Sequence, residues 1–483
     1  MTTTIALPRL PLGDPHDCTD ANDELTLYQA FYDTLIRRSQ TGYVPHLAET
    51  WSVEPDARTW TFIIRPGVRF HDGSPCDAAV VAASLERMAR EDKGYTLGSP
   101  AVWRQYLGGT RLDAKGQVLT VHLARPMADL LDVLMQGFIV APSAFQRLDA
   151  GDRTAICGTG PYICESIGEG EVIARRNPDW FGTPAQNATL RFRLEADPVR
   201  RLALVADGRA ALANSIPQPL VNAGPPAGVQ FKRFTIPVCI IYLLNAAKGP
   251  LADARVRRAL SLAIDRTRII REVVPDAATP LNGFVSPLHF GAGRSPVEGP
   301  DLAQAQALLA AAGHADGLTL TVDCPTRLPD EAERLTAILG SELAPLGVQL
   351  DVHYHRDREA YAHMVRRKEI RDLCVFDSSP LSTFRILYEK IDSRVAGAWW
   401  EGYRNPAVER LIDAARTETD DRRRQHILEE AYAELQRDPP WLTLYNPIRT
   451  IALRGAHPGF IMPVDGVIDP ATLPLLPEDG APG

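Results

Sequence analysis

Apolar and polar residues alternate along the first half of the chain. Thr59 to Arg65 is rich in β-branched and aromatic residues, and Leu119, Val121 and Leu123 alternate with polar neighbours. A period of two is typical of a β-strand with one buried face. Helical spacing is clear in this half mainly at Leu25 to Arg38. We therefore expect a strand-rich first half with few long helices.

Beyond Lys248 the pattern changes to helices that alternate with strands. Val256 and Leu260 recur at helical spacing, whereas Leu318 to Val322 and Leu373 to Phe376 are predicted strands. This alternation predicts an α/β layer.

Two apolar strands flank the second half, at Cys239 to Asn245 and at Trp441 to Tyr445. They predict that the chain crosses twice between two lobes. Such a topology predicts a hinge, because a ligand bound between the lobes favours the closed state. The expected boundaries are 1–238 with 446–483 for lobe I, including an extra subdomain at about 45–155, and 239–445 for lobe II.

The densest pattern lies between Leu47 and Met88, where a strand, two turns and a helix start follow one another. The turns are Pro66-Gly67 and His71-Asp72-Gly73, and Ser74 or Asp77 can cap the helix. Further motifs follow in order: Gly158 to Tyr162, Arg176 to Gly182, Leu244-Asn245, Asp253 to Leu260 with Ala263 to Arg266, and Asp301 to Gly313. This succession, from about Asp14 to about Asp469, resembles the family-5 solute-binding proteins of ABC importers, which include oligopeptide-, dipeptide- and nickel-binding receptors.

The resemblance implies an α/β protein with a two-lobed periplasmic-binding-protein-like fold (type II, cluster C) and a hinge between the lobes. It implies an extracytoplasmic receptor that binds a small polar solute between the lobes and delivers it to an ABC permease and ATPase. The solute would be peptide-like, amino-acid-derived or a metal chelate. The receptor would act as a monomer, without a cofactor and without enzymatic activity.

Charge and cysteine content qualify this interpretation. The formal charge of −8 disfavours a nucleic-acid partner. No apolar run approaches the roughly 18 residues of a membrane helix, and Met1 to Glu24 has neither the basic nor the apolar region of an export signal. The seven cysteines are odd in number and show no CxxC spacing, which indicates unpaired thiols in a reducing compartment.

Two interpretations of location and function therefore stand side by side. The resemblance implies a periplasmic receptor. The missing export signal and the cysteines favour a cytoplasmic protein of the same fold without a permease, acting as an enzyme or as an intracellular ligand sensor. No GxSxG elbow, HExxH motif or Cys/His pair in a recognisable context indicates catalysis.

The first candidate ligand residues follow the predicted strand Leu373 to Phe376. They are Asp377, Ser378 and Ser379. In an open α/β sheet, ligands bind beyond the carboxyl ends of the strands, and a carboxylate beside hydroxyls can accept hydrogen bonds from ammonium or amide groups. The resemblance implies an aspartate here for the amino terminus of a peptide ligand. The alternative is that Asp377 and the serines of this stretch, which continues through Ser382 to Thr383, cap the next helix.

A second candidate segment is rich in aromatic residues. It contains Trp399, Trp400, Tyr403, Arg404 and Asn405. Aromatic walls with a few polar groups are typical of a small-molecule cleft. Packing into the core is the alternative for one of the two tryptophans.

The remaining candidates belong to the first lobe and to the first crossing. His16 and Asp17 lie in the polar loop after the opening strand, and Asn245 ends the first crossing strand, where it could contact a ligand or bridge backbone groups. Gly158-Thr159-Gly160 lacks the Lys-Ser/Thr pair of a phosphate loop, so we expect a turn that needs glycine dihedrals.

Three histidines have the spacing of metal ligands. His353 and His355 lie on one face of a predicted strand, and His363 lies on the following helix. No carboxylate or thiol accompanies them at a fitting distance, so we expect no metal site.

Overall fold

The computed structural model of the protein describes residues 2–18, 21–39, 42–94, 101–281, 283–293, 299–326, 329–378 and 382–477. These residues form two compact units. Unit one contains the described residues before Thr235 and from Arg449 onward, and unit two contains those of Thr235–Ile448. Within the described ranges no helix combines the length and the apolar composition that crossing a membrane requires.

Unit one is rich in strands, as the alternating pattern predicted. Its strands are β1 (Thr3–Leu7), β2 (Ile36–Ser39), β3 (Gly42–Pro45), β4 (Ala48–Val53), β5 (Thr59–Ile64), β6 (Arg111–Lys115), β7 (Val118–His122), β8 (Tyr162–Gly168), β9 (Glu171–Arg176), β10 (Thr189–Leu194), β11 (Leu212–Ala213) and β12 (Val229–Thr235). In the main sheet, β1 pairs in parallel with β10 and β11, and β9 and β8 continue it in antiparallel order. A separate antiparallel sheet has the order β4-β5-β7-β6, and β2 pairs with β3.

The helices of unit one are short. They are α1 (Asn22–Phe31), α2 (Ala78–Met88), α3 (Val102–Leu107), α4 (Leu130–Leu134), α5 (Pro142–Asp149), α6 (Pro198–Ala206) and α7 (Gln218–Asn222). Asp77 caps α2 by accepting hydrogen bonds from the backbone N–H groups of Ala79 and Val80. Of the two expected capping residues, Asp77 is therefore the one that acts, while the hydroxyl of Ser74 donates to Asp72.

Unit two has the α/β pattern predicted for the second half. Its strands are β13 (Cys239–Leu244), β14 (Ala278–Pro280), β15 (Leu318–Pro325), β16 (Val348–His355), β17 (Leu373–Ser378) and the first part of β18 (Trp441–Arg454), which belongs to unit one from Arg449 onward. The sheet order is β16-β15-β17-β13-β18. β15 is parallel to β16 and β17, whereas β13 is antiparallel to β17 and β18.

Helices cover both faces of this sheet. They are α8 (Ala254–Ala263), α9 (Arg266–Val273), α10 (Leu302–Ala311), α11 (Ala332–Leu343), α12 (Arg358–Arg366), α13 (Thr383–Ile386) with a π-helical turn at Leu387–Ile391, α14 (Pro406–Thr417) and α15 (Asp421–Arg437). Tyr242 belongs to the core on one face with Val256, and Ile241 belongs to the core on the other face with Phe376. All six residues of β13 are buried, because the strand has helices on both sides.

The second crossing strand is longer than expected. We predicted a strand at Trp441 to Tyr445, whereas β18 continues to Arg454. Its end pairs with β11 at Ala452 and Leu453 in unit one. The alternating pattern weakens beyond Tyr445, and backbone pairing with β11 extends the strand.

Several motifs of unit one meet at the end of α1. The His71 ring lies 3.1 Å from the carbonyl oxygen of Gly160, and the Thr159 hydroxyl donates to Asp33 at 2.9 Å. Gly160 has no positive φ, so the reason we expected for its glycine is wrong. A Cβ atom there would come within 2.7 Å of the carbonyl oxygen of Phe31, so close approach of two backbones requires glycine.

Candidate functional site

Asp377 lies at the carboxyl end of β17, opposite Ile240 of β13. Its side chain is 35% exposed, and Oδ1 lies 3.6 Å from a guanidinium nitrogen of Arg358, the first residue of α12. Sequence reasoning missed Arg358. No local pattern links it to Asp377, because only the crossover from β16 through α12 to β17 brings the two side chains together.

Aromatic rings support this ion pair. The Arg358 guanidinium lies 5.0 Å from the ring centroid of Phe376 and 5.6 Å from that of Tyr361. On its other side, Phe376 packs against Trp399 at 4.6 Å between centroids, and the Lys390 ammonium lies 5.3 Å from the Trp399 ring. We call Tyr361, Phe376 and Trp399 the aromatic platform. Through Arg358 and Phe376, two of the predicted site residues, Asp377 and Trp399, are thus linked by contacts.

Ser378 is buried at the end of β17, opposite Cys239. Its hydroxyl has no hydrogen-bond partner among the described residues. Ser379 lies outside the described residues. The following helix is capped by Ser382, which accepts a hydrogen bond from the backbone N–H of Arg385 at 3.0 Å. Among Asp377 and the serines that we considered as caps, Ser382 is therefore the one that caps this helix.

The segment after Trp399 is held mainly by local contacts. The Trp400 indole donates to the carbonyl oxygen of Tyr403 at 2.6 Å. The Tyr403 ring is buried, with the Arg257 guanidinium 5.6 Å from its centroid, whereas Arg404 is exposed.

The two asparagines that we predicted as ligand residues form hydrogen bonds with backbone groups. Asn405 caps α14 by accepting from the backbone N–H of Ala407 at 2.9 Å and of Val408 at 3.3 Å. The amide of Asn245 donates to the carbonyl oxygens of Ile370 and Arg371, at 3.1 and 2.8 Å. In this conformation Asn245 takes the backbone-bridging role that we had left open beside ligand contact.

A buried carboxyl group, that of Glu401, lies in the same segment. Glu401 is buried, and burial raises its pKa to about 8 against the attraction of Lys368 and Lys248. Burial likewise lowers the pKa of Lys368 to about 8. The Lys368 ammonium also donates to the carbonyl oxygen of Gly397. These contacts tie the segment to the turn after α12.

In unit one, His16 is buried in a network of charged groups. An Arg87 N–H donates to Nδ1 of His16 at 2.8 Å, and Nε2 lies 3.0 Å from the carbonyl oxygen of Phe138. The first contact makes Nδ1 an acceptor, so the ring is neutral and Nε2 is the donor. Burial, reinforced by the Arg87 charge and opposed by Asp14, lowers the pKa of His16 to about 4.

Asp17 lies at the edge of this network. Its carboxylate accepts from the backbone N–H of Gly94 at 2.9 Å and lies 3.6 Å from the Lys93 ammonium. Asp14 accepts from Arg87 and Lys93, and these contacts keep its pKa well below the usual range although burial opposes this. His16 and Asp17 thus belong to one charged cluster in unit one.

The three histidines of unit two each lie beside a single carboxylate. His353 lies 3.3 Å from Asp351, and His355 lies 2.7 Å from Asp323. Across the described ranges, no three His, Cys, Asp or Glu side chains gather as a metal site would require.

Comparison with known families shows to which protein family the chain belongs. Residues 42–376 match the model of the bacterial extracellular solute-binding proteins, family 5. The chain belongs to this family. It is therefore a solute receptor and not an enzyme, and the intracellular enzyme or sensor that we considered has no support. Family-5 proteins deliver solutes to ABC transporters, which confirms the resemblance noted in the motifs.

Individual relatives support the same assignment. This family-5 protein is 26% identical over 477 residues to the probable di/tripeptide-binding protein 5 of Pseudomonas aeruginosa, covering 89% of each chain. It is 26% identical over 351 residues to the glutathione-binding protein GsiB of Salmonella paratyphi A, covering 70% of this chain and 66% of that protein.

A solved structure confirms the predicted fold class. The Helicobacter pylori periplasmic binding protein DppA, in complex with the peptide STSA, superposes with a TM-score of 0.75. The match covers 98% of this chain and 97% of DppA at 18% identity, so it establishes the two-lobed α/β fold of periplasmic binding proteins.

Proposed function

We propose that this family-5 protein binds a peptide-like or amino-acid-derived solute through Asp377 and delivers it to an ABC permease and ATPase. The observation that carries the proposal is the partly exposed carboxylate of Asp377 at the end of β17, paired with Arg358, whose guanidinium lies over rings of the aromatic platform. The end of a strand in an α/β sheet is a common place for a ligand. The names of the relatives, di/tripeptide- and glutathione-binding, indicate solutes that carry an ammonium group.

The remaining parts of the proposal follow from the family. We infer that the protein acts as a monomer in the periplasm, where a solute receptor meets its permease. Trp399, Trp400 and Arg404 would contribute to solute contacts from the aromatic segment. Tyr403 and His16 are not part of this proposal, because both side chains are buried. A metal chelate is the alternative solute, and it would be detected in the same experiment.

The test first identifies the bound solute and then weakens its binding with a variant of Asp377. Mass spectrometry of molecules released by denaturing the purified protein should find a peptide or an amino-acid derivative. Titration calorimetry with glutathione, alanyl-alanine and trialanine should find at least one ligand. Asp377→Asn should lower the affinity for it by roughly ten- to a hundredfold, because a charge-assisted hydrogen bond is lost.

Asp413→Asn is the matched control, because Asp413 also pairs with an arginine in unit two, at 2.6 Å from Arg394, and is exposed. This variant should leave the affinity unchanged. Unchanged affinity in Asp377→Asn, together with a clearly lower unfolding temperature, would show that Asp377 is structural and would contradict the proposal.

A further inference from the structure

An apolar cavity lies inside unit one, among the helices α2, α3 and α4 and the strands β6 and β7. Its volume is about 150 Å³. Six apolar side chains line it: Leu85, Leu107, Leu112, Val121, Leu130 and Leu134. Except for Leu112, each of these residues is at most 5% exposed. The cavity is therefore a recess that reaches into the core of unit one and not a shallow groove on its surface.

The charged residues of the cavity lie at its rim. Glu86 and Arg104 also line it, and both residues are exposed. They have opposite charges, so the rim favours neither anions nor cations. A charged molecule that moved from water into the apolar interior would lose its hydration without gaining a buried partner of opposite charge. The cavity therefore favours an uncharged molecule.

One polar atom in the wall of the cavity has no partner. Thr110 lines the cavity, and its backbone N–H donates to the carbonyl oxygen of Leu107 at 3.1 Å. Its hydroxyl oxygen is buried and has no hydrogen-bond partner among the described residues. A buried hydroxyl without a partner destabilises a protein, and it can either donate or accept. An ordered water needs several polar partners, whereas the buried side chains of this wall offer only Thr110.

The volume limits what can fill the cavity. An apolar cavity of about 150 Å³ has the size that accommodates one benzene ring. We infer that unit one contains a second binding site, for an uncharged molecule with a single ring and a hydroxyl group that hydrogen-bonds to Thr110. This site is distinct from the solute site proposed at Asp377, because Asp377 belongs to unit two.

Phenol and toluene are suitable probes, because they have nearly the same size and differ in the hydroxyl group. NMR of the leucine methyl groups of the wild-type protein should show that both bind with dissociation constants below about 1 mM. The resonances of Leu85, Leu107, Leu130 and Leu134 should shift most. Naphthol, which has two rings, and benzoate, which is charged, should bind more weakly than phenol by about tenfold or more. Failure of both phenol and toluene to bind, or shifts confined to other leucines, would overturn the inference.

Thr110→Val tests the hydrogen bond, since valine has a similar shape but no hydroxyl. The variant should bind phenol about five- to tenfold more weakly than the wild type and toluene at least as tightly. Each probe is compared with itself, because phenol loses more hydration than toluene on entering the cavity. Thr120→Val, next to Val121 in β7, is the matched control and should keep both affinities. Unchanged phenol affinity in Thr110→Val would contradict the role of Thr110.

A variant that fills the cavity tests its location. Ala89, directly after α2, also lines the cavity. Ala89→Leu should abolish the binding of phenol and toluene, because the added atoms occupy their space. Ala79→Leu makes the same change at an exposed position in the first turn of α2 and should keep both affinities. Binding that survives Ala89→Leu at full affinity would place the probes elsewhere and would overturn the inference.

Discussion

At the scale of single residues, Asp33 contacts residues of two family motifs. Its buried carboxylate lies 2.6 Å from the His46 ring and accepts from the Thr159 hydroxyl at 2.9 Å and the Trp180 indole at 3.1 Å. Burial would raise its pKa, but His46, Arg37 and Trp180 lower the pKa to about 2. Two of the family motifs, Gly158 to Tyr162 and Arg176 to Gly182, thus contact one buried carboxylate.

Asp33→Asn should destabilise the protein strongly. The amide removes the charge and places an N–H group against donors, so buried hydrogen bonds are lost. We expect the free energy of unfolding to fall by about 3 kcal/mol. Urea unfolding followed by tryptophan fluorescence measures this. The exposed Asp179→Asn is the control and should change stability by less than about 0.5 kcal/mol; similar effects of both variants would contradict the role of Asp33.

His16 should make stability depend on pH. Its folded pKa is about 4 against the ordinary 6.5, so between these values the unfolded chain binds a proton that the folded protein does not. The contribution of the neutral His16 ring to the free energy of unfolding should therefore be fully present above pH 6.5 and should be lost as the pH is lowered to 4. The difference between the two pKa values of His16 corresponds to about 3 kcal/mol in the free energy of unfolding.

The measurement compares urea unfolding at several pH values in wild type and in His16→Gln. Between pH 6.5 and 4 the stability of the variant should fall by about 3 kcal/mol less than that of the wild type, because glutamine does not titrate. His426→Gln changes an exposed histidine of α15 and should keep the wild-type dependence. Parallel curves for wild type and His16→Gln would argue against this assignment.

At the scale of elements, the turn Gly158 to Tyr162 fits against the end of α1 because it has no side chains at two positions. The backbone N–H of Gly160 donates to the carbonyl oxygen of Phe31 at 3.0 Å. The same contact holds the turn near Asp33 and His71. A helix end and a distant turn are thereby joined through backbone alone.

Gly160→Ala should break this contact. A Cβ atom would lie within 2.7 Å of the carbonyl oxygen of Phe31, and backbone cannot move aside as a flexible side chain can. We expect a loss of about 3 kcal/mol in the free energy of unfolding. Gly459→Ala, in unit one with open space around its Cβ position, should change stability little. Equal thermal unfolding of the two variants would show that the turn has room for a side chain.

At the scale of the whole molecule, all seven cysteines are free thiols. Five are buried, and burial raises the pKa of Cys76 and of Cys239 to about 12. A buried thiol with a raised pKa is a poor nucleophile. The core therefore protects most of the thiols without disulfides.

Thiol titration should follow this arrangement. The denatured, unreduced protein should react at all seven cysteines, whereas in the native protein the half-buried Cys157 and Cys164 should react faster than the five buried thiols. Detection of five or fewer thiols after denaturation would reveal a disulfide and would contradict the prediction.

The fold class could be predicted from the sequence because its signals are local. Alternation predicted the strands β5 and β7 of unit one, the apolar run of β13 predicted a strand, and Asp77 was one of two residues predicted to cap a helix. The ordered family motifs then led to the receptor fold that the family match confirms. Each of these signals lies within a few residues of the feature that it predicts.

The chemistry of the candidate site was decided by tertiary structure. Asp377 could be named from its place after a strand, but its partner Arg358 arrives from another helix, and the neutral state of His16 depends on Arg87. Gly160 required glycine for a contact with Phe31 that no local dihedral reveals. Charge pairing, protonation and close approach depend on distances between groups far apart in the chain, and only the folded molecule sets those distances.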